Sequence, residues 1–188
     1  MRGKRLILLG APGSGKGTQA AILSEEMGVP SISTGEMLRD SITEKTELGR
    51  EVEAIMAAGR LVDDQTMEEV VRQRLSQDDC ARGFILDGYP RTLGQVESLD
   101  SILEENGVEL DAVVHIRVEE TELIRRALAR KRQDDREQVI RQRLEVYREQ
   151  TQPLIDCYRN RSHLLLIDGN QSIEEVAASI LEALEVPA

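Results

Sequence analysis

Short, uninterrupted apolar runs alternate along this chain with longer stretches in which apolar and polar positions recur at helical spacing. The runs are 6–9, 83–86, 112–118 and 163–167, with a weaker one at 29–33. None is long enough for a helix and none alternates strictly, the pattern of strands covered on both faces. Between them the spacing predicts helices near 16–27, 35–44, 48–58, 65–77, 92–106, 120–131, 135–158 and 173–185. Ser33 with Glu36 and Asp134 with Glu137 read as capping boxes, and Ser172 precedes acids in the first turn of the last segment. Strands alternating with helices imply right-handed crossovers. The expected fold class is α/β: three α/β/α layers around a five-stranded parallel sheet. Ligands of such sheets sit beyond the carboxyl ends of the strands.

Composition narrows the function. A length of 188 residues suits a single domain whose core needs no disulfide or metal staple. The net charge of −11 repels polyanions, and four aromatics (Phe84, Tyr89, Tyr147, Tyr158) without Trp cannot build a row of base-stacking platforms. Nucleic acid is therefore not an expected partner. No stretch reaches the roughly 18 apolar residues of a membrane span, and 6–9 is too short for a signal core. A soluble, cytoplasmic protein with no membrane partner is expected. Cys80 and Cys157 lack metal or redox spacing and read as free thiols. His115 and His163, in or beside apolar runs, read as core or edge residues rather than catalysts.

The first run ends in Gly10-Ala-Pro-Gly13-Ser14-Gly15-Lys16-Gly17-Thr18, directly before a helix. Backbone N–H groups in such a turn, the helix dipole and the Lys16 charge together make a phosphate site, and glycines let the backbone approach closely. The spacing fits the P-loop, with Gly17 in place of the usual Ser/Thr. The run 83–86 ends in Asp87, followed by Gly88-Tyr89-Pro90-Arg91. A carboxylate beside a P-loop can hold Mg²⁺ through its waters. Residues 125–148 carry nine bases against four acids in an otherwise acidic chain. Arg132, Arg136 and Arg143 are spaced to fall near one stripe of the expected long helix. Guanidinium forks suit phosphate oxygens and keep their charge.

The glycine-rich turn, with Gly then Thr after the lysine, resembles that of nucleoside monophosphate kinases. The resemblance runs on through 33–40, 59–62, 83–91, Gln95, 130–135 and Arg143-Leu144, nearly the whole chain, and is nearest to adenylate kinases in their short-lid bacterial form. It implies a core of 1–32, 63–128 and 136–188, a monophosphate-binding helical insertion at 33–62 and a very short lid at 129–135. It implies the reaction ATP + AMP ⇌ 2 ADP with Mg²⁺. Gly13, Ser14, Gly15, Lys16, Gly17, Thr18, Arg126, Arg130 and Gly169 would bind ATP. AMP would meet Thr34, Gly35, Arg39, Arg60, Leu61, Val62, Gly88, Tyr89, Pro90, Arg91, Gln95, Arg132 and Arg143. Lys16, Arg91, Arg130, Arg132 and Arg143 would stabilise the moving phosphoryl group, and Asp87 would hold the metal through water. Arg136, Arg141 and Arg148 match no such position and are expected to be solvated. The short lid has no cysteine ligands, so no structural zinc is expected, and a monomer is implied. A UMP- or CMP-preferring relative is the first alternative, though Thr34 and Gln95 speak for adenine. A P-loop switch protein is the second, but the chain lacks Asn-Lys-x-Asp.

Overall fold

The computed structural model describes residues 4–129, 136–161 and 164–185. Strands β1 (Arg5–Leu9), β2 (Ser31–Ser33), β3 (Phe84–Asp87), β4 (Ala112–Arg117) and β5 (Leu164–Asp168) form one sheet in the order β2-β3-β1-β4-β5. Every pairing is parallel. The helices are α1 (Lys16–Met27), α2 (Thr34–Thr43), α3 (Glu47–Ala57), α4 (Asp64–Leu75), α5 (Leu93–Glu105), α6 (Glu120–Ala129), α7 (Glu137–Val146), α8 (Pro153–Asn160) and α9 (Ile173–Glu185).

The continuous apolar runs have their explanation in the two faces of this sheet. Side chains alternate across a strand, so each run supplies two cores. Ile7, Leu9, Phe84, Leu86 and Val113 pack with α4, α5 and α8 through Val71, Leu99, Ile102, Leu154 and Tyr158. Leu6, Leu8, Ile85, Val114 and Ile116 pack on the opposite face with α1 and α9 through Leu23, Ile180 and Leu184. Burial of each such Leu or Ile contributes about 1.5–3 kcal/mol. A smaller cluster of Leu123, Ala127, Ile140 and Leu144 joins α6 to α7.

Local chemistry sets four of the helix starts. Asp63 accepts the Thr66 N–H at 2.9 Å, Thr92 accepts the Gln95 N–H at 3.1 Å, and Thr46 accepts that of Gly49 at 3.0 Å. Ser172 and Glu175 form a reciprocal capping box at the head of α9. Ser33 does not: it occupies the N-cap of α2 without a side-chain bond to the helix, because it is also the last residue of β2. The second expected box falls on Asp134, which lies outside the described residues, and Arg136 occupies the N-cap of α7.

The expected helix over 135–158 is two helices. After α7 the backbone widens into a π turn (Tyr147–Thr151), where the Gln152 N–H donates to the Tyr147 carbonyl at 2.8 Å, and α8 restarts with Pro153 in its first turn. Proline has no N–H to continue the helix but fits a first turn. Arg136, exposed and extended at the N-cap of α7, therefore shares no helical stripe with Arg143.

Candidate active site

The carboxyl ends of β1, β2 and β3 open into one cavity of about 1010 Å³. At one end β1 runs into the glycine loop and α1. Gly15 caps α1 in the left-handed region with φ 94° and brings no side chain, so the first N–H groups of the helix stay available to an anion. Gly13, with φ 90°, lies so close to α6 that a methyl group there would stand 2.6 Å from the Leu123 carbonyl oxygen. Lys16 Nζ donates to the carbonyls of Gly10 and Ala11 at 2.7 and 3.1 Å, folding over its own loop. Gly13, Ser14, Gly15, Lys16, Gly17 and Thr18 all line the cavity, and so do Arg126 and Gly169. The last two are joined directly, Arg126 Nη1 donating to the Gly169 carbonyl at 3.0 Å. Arg126 Nε also donates to Glu122 Oε1 at 2.6 Å. Hydrogen bonds from Arg125 and Arg126 hold the Glu122 carboxyl down to about 2.

Asp87, at the end of β3, points its carboxylate at the first turn of α1: a methyl group on Gly17 would lie 3.5 Å from its Oδ2. No cluster of three or more metal-ligating side chains occurs among the described residues. A lone carboxylate beside a phosphate cradle fits Mg²⁺, which keeps several waters and draws its other ligands from phosphate oxygens.

The other end of the cavity is built by the starts of α2 and α5 and by α7. Arg39 Nη1 and Arg91 Nη2 both approach Gly35, at 3.3 and 3.7 Å from where a methyl group would stand. Arg91 is fixed at three points. Its N–H donates to Gln95 Oε1 at 2.8 Å, its Nε to the Gly88 carbonyl at 2.7 Å, and its carbonyl accepts from Thr151 Oγ1 at 2.9 Å. Burial lowers its pKa; Asp87 opposes this, while Arg143 and Arg39 act in the same direction as burial. Cations held this close together are relieved by a bound anion. Gly88, with φ 84°, leaves room for them: a methyl group would come 2.8 Å from Arg91 Nη2. Buried Thr34 donates to the Gly88 carbonyl at 3.0 Å. Arg60, Leu61, Val62, Pro90, Gln95 and Arg143 complete this end.

Tyr89 is the exception among the residues expected here. Its side chain is fully buried in the core with the α4–α5 face, and it does not line the cavity. Burial raises the pKa of its hydroxyl. Arg130 and Arg132 lie outside the described residues, as does His163. Arg141 and Arg148 are exposed and paired with Glu137 and Glu120. His115 is buried as expected, but only half satisfied: Nε2 meets Tyr147 Oη at 3.3 Å, while Nδ1 has no partner among the described residues. Cys80 and Cys157 are free thiols.

Sequence reasoning missed Glu122, Thr151 and Asp64. Glu122 had a signal, standing four residues before Arg126 where helix neighbours meet. Thr151 had none, because only the π turn brings its hydroxyl to Arg91. Asp64 is joined to Gln95 across 31 positions by a 2.8 Å hydrogen bond.

A glycine-loop anion site on one side, an arginine-lined anion site on the other and a single cavity between them define a P-loop phosphotransferase. The family model for adenylate kinase matches residues 8–163. The chain is 51% identical over 185 residues to an adenylate kinase of Kocuria rhizophila, covering 96% of this chain and 98% of that one. It is 46% identical over 190 residues to that of Rhizobium meliloti, covering 96% and 99%. Against that of Corynebacterium urealyticum it is 47% identical over 181 residues, again covering 96% and 99%. The chain belongs to the adenylate kinase family.

Proposed function

We propose that this protein is an ATP:AMP phosphotransferase catalysing MgATP + AMP ⇌ MgADP + ADP. The observation that carries the reading is the convergence of Arg39 and Arg91 on Gly35, in the same cavity as the glycine loop. A hydrolase or a nucleotide switch needs the loop but not a second phosphate site facing it. Family membership supports adenine as the base on both sides.

Phosphoryl transfer asks the protein mainly for in-line positioning and charge stabilisation. The α1 N–H groups and Lys16 hold the donor phosphates. Arg126, braced by Glu122, borders the donor base, and its bond to Gly169 closes that side. Arg39 grips the acceptor phosphate. Arg91 and Arg143, together with Arg130 and Arg132 from outside the described residues, neutralise the charge spread over the migrating group. Thr34, Gln95 and the backbone of 60–62 receive the acceptor base and ribose. Asp87 would hold Mg²⁺ through its waters, and the bound metal would supply charge neutralisation to the donor phosphates. Residues 33–62 work as the monophosphate-binding segment and 129–135, of which 130–135 lie outside the described residues, as a short lid, with 1–32, 63–128 and 136–188 as the core. Closure excludes water that would waste ATP; the adenylate kinase lid is itself a standard example of such a motion.

No described helix is long and apolar enough to cross a membrane. A monomer acting in the cytoplasm is what the family resemblance supports. Purified protein with Mg²⁺ should convert ATP plus AMP to ADP, with UMP and CMP far poorer acceptors, as followed by nucleotide chromatography. Steady release of phosphate from ATP, indifferent to AMP, would refute the reading.

A further inference from the structure

Gln95 lines the cavity although it is only 1% exposed, and half of its amide is already committed. Oε1 accepts from the Arg91 N–H at 2.8 Å, and Nε2 donates to Asp64 Oδ1 at 2.8 Å. Both partners have a single polarity: a peptide N–H can only donate, and an ionised carboxylate can only accept. Turning the amide end over end would set N–H against N–H and oxygen against oxygen. One N–H and one oxygen lone pair remain for a ligand, in an order the protein has already chosen.

Asp64 is itself held in place. Thr92 Oγ1 lies 2.9 Å from both of its oxygens, its one O–H shared between them, and the carboxylate faces the start of α5, where the helix dipole favours it. A methyl group on Gly94 would lie 2.6 Å from Asp64 Oδ2, so the glycine is what admits the carboxylate to the helix turn. The group is therefore built into the site from three sides.

We propose that Asp64 is a specificity-determining residue. By fixing which end of the Gln95 amide donates and which accepts, it makes the acceptor site take a 6-aminopurine monophosphate and refuse a 6-oxopurine one. This rests on the reading that Gln95 meets the acceptor base. Adenine presents an amino donor beside a ring-nitrogen acceptor, whereas hypoxanthine presents a carbonyl acceptor beside a ring N–H donor. The two bases have nearly the same shape with the polarity reversed. A glutamine free to turn would serve either. One that cannot turn leaves the oxopurine with two mismatched polar pairs in a buried place, where discrimination is strongest.

The test compares AMP with inosine monophosphate as acceptors at saturating ATP. The proteins are the parent and the variants Asp64→Asn, Asp64→Leu, Gly94→Ala and Gln95→Ala. Asparagine nearly keeps the shape of Asp64 but can donate as well as accept, leaving only the Arg91 N–H to resist the turn. The ratio of kcat/KM for AMP over inosine monophosphate should fall about tenfold in Asp64→Asn, the scale of one hydrogen bond to a charged group, and further in Asp64→Leu. Part of the fall should be a gain on inosine monophosphate itself, with the KM for ATP changed less than twofold. Gly94→Ala, which crowds Asp64 without removing it, should move the ratio the same way. A ratio taken within one preparation does not depend on how much of the protein is folded, so a purely structural role would leave it where it was. An unchanged ratio in Asp64→Asn and Gly94→Ala, while Gln95→Ala lowers it, would overturn the role of Asp64 and spare that of Gln95. An unchanged ratio in Gln95→Ala would overturn both.

Discussion

Replacing His115 with leucine should remove a specific part of the protein's pH-dependent stability. His115 sits in β4 opposite Leu9 of β1, buried, with Nε2 against Tyr147 and Nδ1 without a partner among the described residues. Burial, then the charges of Arg117, Lys16 and Arg159, lower its pKa from 6.5 to about 4. Because the folded value is the lower one, the unfolded chain takes up the proton first. The contribution is complete above the unfolded pKa and is lost as pH falls through 6.5 toward about 4. Between about pH 7.5 and about pH 5 the loss amounts to about 2 kcal/mol, and the full shift corresponds to about 3 kcal/mol. The measurement is urea unfolding of both proteins at the two pH values. Carboxylates contribute to both and cancel in the difference, so the parent should lose about 2 kcal/mol more than His115→Leu on acidification. Equal losses would show that the imidazole is hydrated or charged in the folded protein, and the argument from its burial would be wrong.

Two further predictions concern the phosphate machinery. Lys16→Met should lower turnover by about 10²–10³, the scale of one major electrostatic contact at the reacting centre. Its melting temperature should change less than its turnover, since the Lys16 bonds to the Gly10 and Ala11 carbonyls lie within its own loop rather than in the core; near-normal turnover would strike Lys16 from the catalytic set. Arg143→Ala, at the cavity, should reduce kcat far more than Arg136→Ala, Arg141→Ala or Arg148→Ala, because exposed charges act weakly through screened solvent. Comparable losses in all four would mean that this segment works as a diffuse positive field.

What the sequence determined by itself was whatever depends on near neighbours in the chain. The apolar runs, too short for helices and without strict alternation, read as strands of a covered sheet, although Leu166 in the edge strand β5 stands exposed, and the glycine loop ahead of α1 read as a set of N–H groups presented to an anion. Asp87 was legible as the carboxylate that ends a strand, whereas Thr34, Gly35, Arg39 and Arg91 were marked by the family resemblance rather than by local pattern. The tertiary structure alone decided the rest. Tyr89, inside a motif of ligand-facing residues, turned into the core because its ring had apolar space behind β3. The single helix expected over 135–158 broke at a π turn, which sets Thr151 on the Arg91 carbonyl. Gln95 looked like an amide free to read a base, but its orientation is chosen by the Arg91 N–H and Asp64. Hydrogen bonds between residues about 30 positions apart leave no periodic trace in a sequence. They exist only once the sheet and its helices have brought both partners to one edge, and there the polarity of a buried partner decides what the site accepts.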